Sequence, residues 1–220
     1  MAAISKTYSL VPVSDKLDYD MARHLLERSM FGAKKSEIDS FVGQSISTAL
    51  NTLTLAPTKP SLPVSMDAKD LAIGIGQTWI NAPYNGNYNP YRLNSLHSWW
   101  IGNMVTQGPS IFEKMVLFWH NHFVNEIQVV GVANYYYQYV QLLRTNALGN
   151  IKKMVYDMAV NPSMLVYLNG NANIVGAPNE NFARELFELF TIGKGPLISS
   201  GNYTNYTESD IREAARVLTG

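Results

Sequence analysis

The segment from Asn179 to Gly193 carries a dense set of side chains that could do chemistry. Its residues are Asn-Glu-Asn-Phe-Ala-Arg-Glu-Leu-Phe-Glu-Leu-Phe-Thr-Ile-Gly. Carboxylates beside a guanidinium can transfer protons, hold an anion or help to bind a metal ion. The charged groups are Glu180, Arg184, Glu185 and Glu188. The segment therefore predicts a polar site, without indicating which reaction or ligand it serves.

An amphipathic helix is the element that this segment predicts as support for those groups. Asn179, directly after Pro178, is a suitable N-cap, and Gly193 is typical of the end of a helix. At about 100° per residue, one side of this helix is apolar. The residues predicted to be buried on that side are Phe182, Leu186, Leu189 and Phe190. Arg184 and Glu188 fall on the opposite side.

Glu185 is the carboxylate that an ordinary surface helix explains least. The other three charged residues of the segment are four residues apart and could form a simple ladder of ion pairs. Glu185 instead borders the apolar side, so we expect it to be partly buried. A buried carboxylate needs a partner, and Arg28 or Arg216 could supply one.

Two histidines, His120 and His122, lie in an aromatic stretch of the sequence. On a helix they point about 200° apart, so they cannot chelate one ion together. We predict that His122 is much more buried than His120, which we place near Glu113. The apolar residues that share its side are Met115, Phe118 and Trp119. His122 is either a core residue bonded to a backbone carbonyl or an acid/base or ligand residue, and the sequence leaves both open.

A site can be assembled from these residues if the segments 119–123 and 179–193 pack together, as we expect. The candidate catalytic residues are His122, Glu185 and Arg184. The candidate metal ligands are His24, His122 and Glu180, because a metal site needs about three ligands from different helices. No known catalytic or nucleotide-binding fingerprint is present, and the sequence identifies no cofactor.

The composition excludes several classes of function. Lys plus Arg and Asp plus Glu both number 17, and no basic run typical of nucleic-acid binding is present. No apolar run reaches the ~18 residues of a membrane span. The absence of cysteine removes disulfides, thiolate nucleophiles and cysteine-ligated metals. The first ten residues lack the pattern of an export signal, and the cellular location is not indicated.

Helical periodicity runs through almost the whole sequence, so we predict an all-α fold, an irregular multi-helix bundle with long polar loops. We expect a single helical domain over residues 1–220, as the N-terminal part of a longer protein, with an internal linker at 56–66 that contains three prolines. The predicted helices are 18–30, 36–54, 67–81, 92–105, 110–124, 132–146, 150–160, 179–193 and a last one after Thr207.

Four blocks, in this order along the chain, carry a specific resemblance to a known family. They are His24–Ala33, Lys114–Phe123, Asn161–Gly170 running into Pro178–Gly193, and Tyr206–Gly220. In these blocks the chain resembles the domain of unknown function 1800 family, a group of uncharacterised bacterial proteins. The resemblance implies a protein longer than this chain, because family members typically extend further.

The resemblance also implies export, because many members carry an export signal and are encoded beside a second exported protein, which would be a partner. This chain departs from the family by lacking a visible signal and by a longer loop at Lys194–Tyr206. No activity, cofactor or catalytic residue follows from the resemblance.

Two classes of function stay open. The first is an envelope-associated structural or partner-binding protein, whose polar motifs hold helices in register. The alternative is an acid/base or metal-dependent enzyme that uses His122 with Glu180 or Glu185. A haem protein is a third hypothesis, suggested only by a histidine among aromatic residues.

Overall fold

The structure is a computed structural model that describes residues 16–219, and over this range the chain is mainly helical, as predicted. The helices are α1 (Tyr19–Ser29), α2 (Lys35–Phe41), α3 (Ile46–Thr54), α4 (Asn89–Thr106), α5 (Phe112–His122), α6 (Ile127–Val130), α7 (Ala133–Asn146), α8 (Ile151–Ala159), α9 (Pro162–Tyr167), α10 (Asn181–Glu185) and α11 (Glu208–Val217). A 3₁₀ turn at Gly170–Ala172 and a π-helix at Leu186–Phe190 complete the helical part. The segment examined for an export signal lies outside the described residues.

The main hydrophobic core is built around α7, which contacts α4, α5, α6, α8 and α9. Its buried apolar residues recur every three or four positions, so they lie on one face of the helix. They are Tyr136, Tyr139, Val140 and Leu143. The ends of α5 and of the π-helix add Phe123 and Phe190 to the same core. The fold thereby brings together the two segments that the sequence marks as polar.

The first three helices have a core of their own, which includes Leu26, Phe41 and Leu53. The predicted single helix over 36–54 is wrong, because α2 ends at Phe41 and α3 begins at Ile46. Gly43 lies between them with φ of 81°, a left-handed conformation that glycine adopts without strain. Ser45 then caps α3, its hydroxyl accepting a hydrogen bond from a backbone N–H of the first turn.

The predicted helix over 67–81 is also wrong, because this stretch folds back on itself through turns. Val64 and Thr78 pair in an isolated antiparallel bridge. Gly76 has φ of 81°, and it and Gly74 lower the helix propensity of the stretch. Local glycine content therefore outweighs the helical spacing of the apolar residues.

This fold-back is fixed to α4 by a buried ion pair. Asp70 and Arg92 are both almost fully buried, and Arg92 Nε donates to Asp70 Oδ2 at 2.8 Å. Arg92 Nη1 also donates to the Pro83 carbonyl oxygen at 2.9 Å. The hydrogen bond from Arg92 lowers the pKa of Asp70. A buried charged pair, together with the fully buried Trp79, thus orders the connection between α3 and α4.

The charged segment at 179–193 is helical, but its second half is the π-helix. Hydrogen bonds in a π-helix join residues i and i+5, so each residue turns the chain by less than in an α-helix. The residues of the predicted apolar side that are buried or partly buried are Phe182, Leu186 and Phe190. Leu189 is 60% exposed, and its predicted burial is wrong because the widened turn shifts it away from the core.

The last helix, α11, begins as the sequence predicts. Thr207 caps it, and Asp210 completes a capping box with the backbone N–H of Thr207. The loop before it contains a small antiparallel hairpin of β1 (Leu197–Ser199) and β2 (Asn202–Tyr203). α11 packs on α10 through a third apolar cluster that includes Ala183 and Ile211. Within residues 16–219, no helix has the length and apolar character needed to cross a membrane.

Candidate functional site

The segments expected to form a site do pack together, at the C-terminal end of α5. The ring centroid of Phe190 lies 6.3 Å from that of His122 and 5.2 Å from that of Phe123. His122 Nε2 donates to the carbonyl oxygen of Phe190 at 3.1 Å. Because the contact consists of aromatic rings and one backbone carbonyl, it is the environment of a core histidine.

The prediction of a much more buried His122 is wrong, since both histidine rings of α5 are partly buried. The helix is rotated from the predicted phase, with Phe123 buried and Phe118 55% exposed. His120 Nδ1 lies 2.8 Å from the hydroxyl of Tyr139, which itself donates to the carbonyl of Phe123. Since the hydroxyl hydrogen is used there, Nδ1 of His120 is the donor to Tyr139. Burial lowers the pKa of His120.

Arg184 is paired with carboxylates on both sides of the α10–α11 contact. Its Nη1 and Nη2 donate to the two oxygens of Glu208 at 2.9 and 2.7 Å, and Nη2 also donates to Glu180 at 3.1 Å. The bond to Glu208 raises the pKa of Arg184, and the reciprocal bond lowers the pKa of Glu208. The network therefore fastens α11 to α10.

Glu188 is held by different partners from those of the predicted ladder. It accepts hydrogen bonds from the Tyr206 hydroxyl at 2.8 Å and from Lys194 Nζ at 3.2 Å. These bonds, that of Tyr206 first, lower the pKa of Glu188. Burial and the carboxylate together raise the pKa of Tyr206 to about 12. We call the set Glu180, Arg184, Glu188, Lys194, Tyr206 and Glu208 the 180–208 network.

Glu185 stands outside this network. It is partly buried, and burial raises its pKa. Neither expected partner reaches it, because Arg216 pairs with Glu213 and Arg28 lies exposed on α1. Within residues 16–219 the Glu185 side chain forms no ion pair and no hydrogen bond. The expected Glu185–arginine contact is therefore wrong.

The candidate metal ligands are not gathered at one place. His24 is exposed on α1, Glu180 is paired with Arg184, and His122 is bonded to a backbone carbonyl. In the described part of the chain, no group of three or more histidine, aspartate or glutamate side chains could hold a metal ion. The two segments meet as expected, but the three candidate metal ligands do not.

A different region offers a pocket that is open to solvent on one side. A cavity of about 650 Å³ lies between the chain that follows α3 and the helices α4, α5 and α7. Exposed residues form its rim, among them Leu55, Pro57, Thr58 and Ser61. Buried residues form its floor, and these are Ser110, Glu113 and Arg144. We call this space the α3–α5 cavity.

An ion pair between Glu113 of α5 and Arg144 of α7 lies at the floor of the α3–α5 cavity. Their relative exposures are 3% and 7%, so both charges are removed from bulk solvent. The guanidinium carbon of Arg144 lies 5.5 Å from the ring centroid of Phe112 and 5.9 Å from that of Trp99. Removing either residue would leave the other as an unpaired buried charge, which would destabilise the fold.

Three polar atoms of the cavity lining are buried and have no hydrogen-bond partner among residues 16–219. They are Glu113 Oε2, Asn103 Nδ2 and Gln107 Nε2. In two of these side chains the other polar atom does have a partner. Glu113 Oε1 accepts a hydrogen bond from Arg144, and Gln107 Oε1 accepts one from the Glu113 backbone N–H at 3.3 Å. Buried polar groups are normally satisfied. The three atoms are covered by the chain itself, so they lie beneath the surface of the cavity and not on it.

Sequence reasoning placed Glu113 only as a neighbour of His120 and did not single out Arg144. A signal was present, because Glu113 shares a helical face with Val116 and Phe123, and Arg144 follows the apolar stripe of α7. A lone charge within an apolar stripe predicts a buried partner.

Comparison with known proteins settles the family but adds no activity. A family model described as a protein of unknown function (DUF1800) matches residues 24–220, which includes all four blocks noted in the sequence. The chain belongs to the DUF1800 family. No curated protein and no solved structure matches this DUF1800 chain. Functional argument therefore rests on the chain's own geometry.

Proposed function

We propose that this DUF1800 chain is a non-catalytic binding protein that takes a small molecule into the α3–α5 cavity. The observation that carries the proposal is a pocket that lies over the buried ion pair of Glu113 and Arg144 and has Trp99 in its lining. A volume of about 650 Å³ lies within the usual range of ligand pockets, roughly 300–1,000 Å³.

The contrast with the 180–208 network supports this choice of site. There, Arg184 and Glu188 bond to groups of the chain itself, and neither lines the α3–α5 cavity. The network fits the structural role expected from the sequence, in which polar motifs hold helices in register. A catalytic role of His122 with Glu180 or Glu185, and a position at the cell envelope with a second protein as partner, stay predictions.

A single introduced cysteine tests the proposal, because the chain contains none of its own. Thr58 lies on the exposed rim of the cavity, so a Thr58→Cys variant carries an environment-sensitive fluorophore next to the bound molecule. The probes are D-glucose, glycine, acetate and putrescine, which represent neutral, zwitterionic, anionic and cationic ligands. At least one is expected to change the fluorescence in a saturable way.

A matched pair of substitutions on α4 serves as the control. Thr106 lines the cavity, whereas its neighbour Val105 is 71% exposed and does not. Adding Thr106→Trp to the labelled variant should abolish the saturable response, and adding Val105→Trp should leave it unchanged. The proposal is wrong if no probe class gives a response, or if both tryptophan variants respond like the parent.

A further inference from the structure

The ion pair beneath the α3–α5 cavity also indicates what kind of molecule the cavity accepts. We propose that the cavity binds a monocarboxylate with an apolar body, and that the guanidinium of Arg144 holds its carboxylate. This inference rests on the proposed function and names its ligand class. It follows from the unused donors of Arg144, from the covered state of Glu113 and from the apolar walls of the cavity.

Arg144 uses only a small part of its hydrogen-bonding capacity. A guanidinium can donate through all of its nitrogens, but within residues 16–219 Arg144 donates a single hydrogen bond, from Nη1 to Glu113 Oε1. Nε and Nη2 are not among the fully covered atoms that lack a partner, so both keep some accessible surface although the side chain is only 7% exposed. Because Arg144 lines the cavity, a molecule inside it can reach these donors.

The two unused nitrogens form one edge of the guanidinium, with N–H bonds that run nearly parallel. This spacing matches the two oxygens of a carboxylate, which can accept both hydrogen bonds at once. Glu113 contacts Nη1 and leaves this edge free. The ring centroids of Trp99 and Phe112 lie 5.9 and 5.5 Å from the guanidinium carbon and restrict its movement. The edge is therefore fixed before a ligand arrives, which lowers the entropic cost of binding.

Glu113 offers no comparable site to a cation. Its Oε1 is bonded to Arg144, and its Oε2 is covered by the chain. A ligand in the cavity therefore meets the donors of the ion pair but not its acceptors. An ammonium group would lose its solvation there without gaining a counter-ion, and it would lie near a guanidinium of the same charge.

The ligand should carry one negative charge and no more. Glu113 and Arg144 are the ionised side chains among the residues that line the cavity, and they neutralise each other. A phosphate dianion would bring more charge than one shared guanidinium can balance. A single carboxylate demands less, and this chain already shares one arginine between two carboxylates, because Arg184 bonds to both Glu180 and Glu208.

The other lining residues suit an apolar body. Trp99 is fixed in place, because its indole Nε1 donates to the carbonyl oxygen of Ser61 at 2.6 Å. Leu55, Pro57 and Pro60 add apolar surface, and Leu55 is 72% exposed. A volume of about 650 Å³ leaves room for a ring or a short chain beside the carboxylate. Apolar walls around a few polar groups are typical of sites that bind and orient a small molecule.

Calorimetric titration of the unlabelled protein tests the ligand class with compounds of similar shape. The probes are phenylacetate, its neutral amide phenylacetamide, the cation 2-phenylethylamine, and acetate, which lacks the apolar body. Phenylacetate should bind about tenfold or more tightly than phenylacetamide, because a hydrogen bond between two ions is stronger than one to a neutral group. It should also bind more tightly than acetate, since the ring buries apolar surface. Thr106→Trp should abolish its binding.

The outcomes separate this inference from the proposed function. If phenylacetamide or 2-phenylethylamine binds at least as tightly as phenylacetate, and Thr106→Trp abolishes that binding, the carboxylate inference is overturned while the proposed function stands. The inference is also overturned if Thr106→Trp leaves phenylacetate binding intact, because the compound then binds elsewhere. If neither these compounds nor the probes of the labelled variant bind, both proposals fail.

An Arg144→Lys variant tests the assigned contact. Lysine keeps a positive charge beside Glu113 but has no edge that can bind a carboxylate through two parallel bonds. Phenylacetate should bind about tenfold or more weakly to this variant, and its preference over phenylacetamide should fall. Arg184 lies outside the cavity and is also paired with glutamate, so Arg184→Lys is the matched control and should leave both affinities unchanged.

The ratio of the two affinities separates a ligand contact from a structural contact. A purely structural Arg144 would weaken phenylacetate and phenylacetamide equally in Arg144→Lys, and that result would overturn the assignment. An unchanged affinity for phenylacetate in the same variant would overturn it as well. The comparison of phenylacetate with phenylacetamide on the parent protein needs no substitution, so it decides the inference even if Arg144→Lys does not fold.

Discussion

The 180–208 network and the α3–α5 cavity both contain an arginine paired with glutamate, but they use the pair in opposite ways. Arg184 is 31% exposed and shares its guanidinium between Glu180 and Glu208. Arg144 is 7% exposed and has one acidic partner, Glu113, whose second oxygen is unsatisfied. The first arrangement is partly exposed to solvent, and the second is shielded from it.

This difference teaches that the density of charged residues is a poor guide to a site. Charged residues on neighbouring helical turns form ion pairs with one another, and solvent screens their remaining interactions. An isolated charge on an apolar face has to be paired across helices, and any group left over is held in a fixed position.

The largest effect is expected from breaking the buried pair. Arg144→Met leaves Glu113 buried without its counter-ion and should lower the free energy of unfolding by about 3–5 kcal/mol. Urea denaturation followed by tryptophan fluorescence measures this loss. The matched control is Arg216→Met, because Arg216 and Glu213 are both more than 60% exposed and should contribute little. Similar losses in the two variants would show that burial does not distinguish them.

A second effect concerns the apolar residues of the helix that carries the 180–208 network. Phe182→Ala should lower the free energy of unfolding by about 3 kcal/mol, because the ring is 2% exposed and its loss leaves a cavity. Leu189→Ala should change it by less than about 0.5 kcal/mol, since Leu189 lies on the exposed side of the π-helix. Equal losses would indicate a continuous α-helix in place of the π-helix. Urea denaturation of both variants decides between these outcomes.

The smallest expected effect depends on pH and concerns Arg184. Arg184 lowers the pKa of Glu208 below its ordinary value of 4.5, so the folded carboxylate binds protons less readily than the unfolded one. The stabilisation from this pair is therefore fully present above pH 4.5 and is lost as the pH falls through the folded pKa. Arg184→Met should accordingly be less stable than the parent at pH 7, by a smaller margin than Arg144→Met.

Urea denaturation at a series of pH values checks this dependence. The difference in unfolding free energy between Arg184→Met and the parent should shrink as the pH falls below 4.5. Arg23→Met, which removes a wide ion pair with Glu27 on the surface of α1, should show little difference at any pH. A difference for Arg184→Met that does not change with pH would contradict the assigned bond to Glu208.

The sequence predicted the helical character of the chain and several of its helix boundaries. Thr207 and Asp210 identify the start of α11 because a capping box depends on neighbouring residues only. The fold-back that carries Asp70 was not predicted, because its order depends on Arg92 of a distant helix. The π-helix was not predicted either, because helical spacing was assumed to continue through Leu189.

The candidate site was less predictable than the fold, and for a related reason. The need of a partly buried Glu185 for a partner led us to expect that the 179–193 segment meets the helix of His122, but it could not indicate that the partner of His122 is the Phe190 carbonyl. The α3–α5 cavity is formed by residues from three separate stretches of the chain, 52–61, 99–113 and Arg144. Glu113 and Arg144 are 31 positions apart, and no periodic pattern connects them.

The separate core of α1 to α3 has a consequence for motion. Few hydrogen bonds join this core to the main one. Among them, Lys114 Nζ donates to the carbonyl oxygen of Met30, and the Ile111 N–H donates to the carbonyl oxygen of Leu53. The α3–α5 cavity lies along this seam. A unit held in this way can open without global unfolding. A ligand that bridges the seam should therefore slow amide hydrogen exchange throughout α1 to α3, far from the atoms it touches.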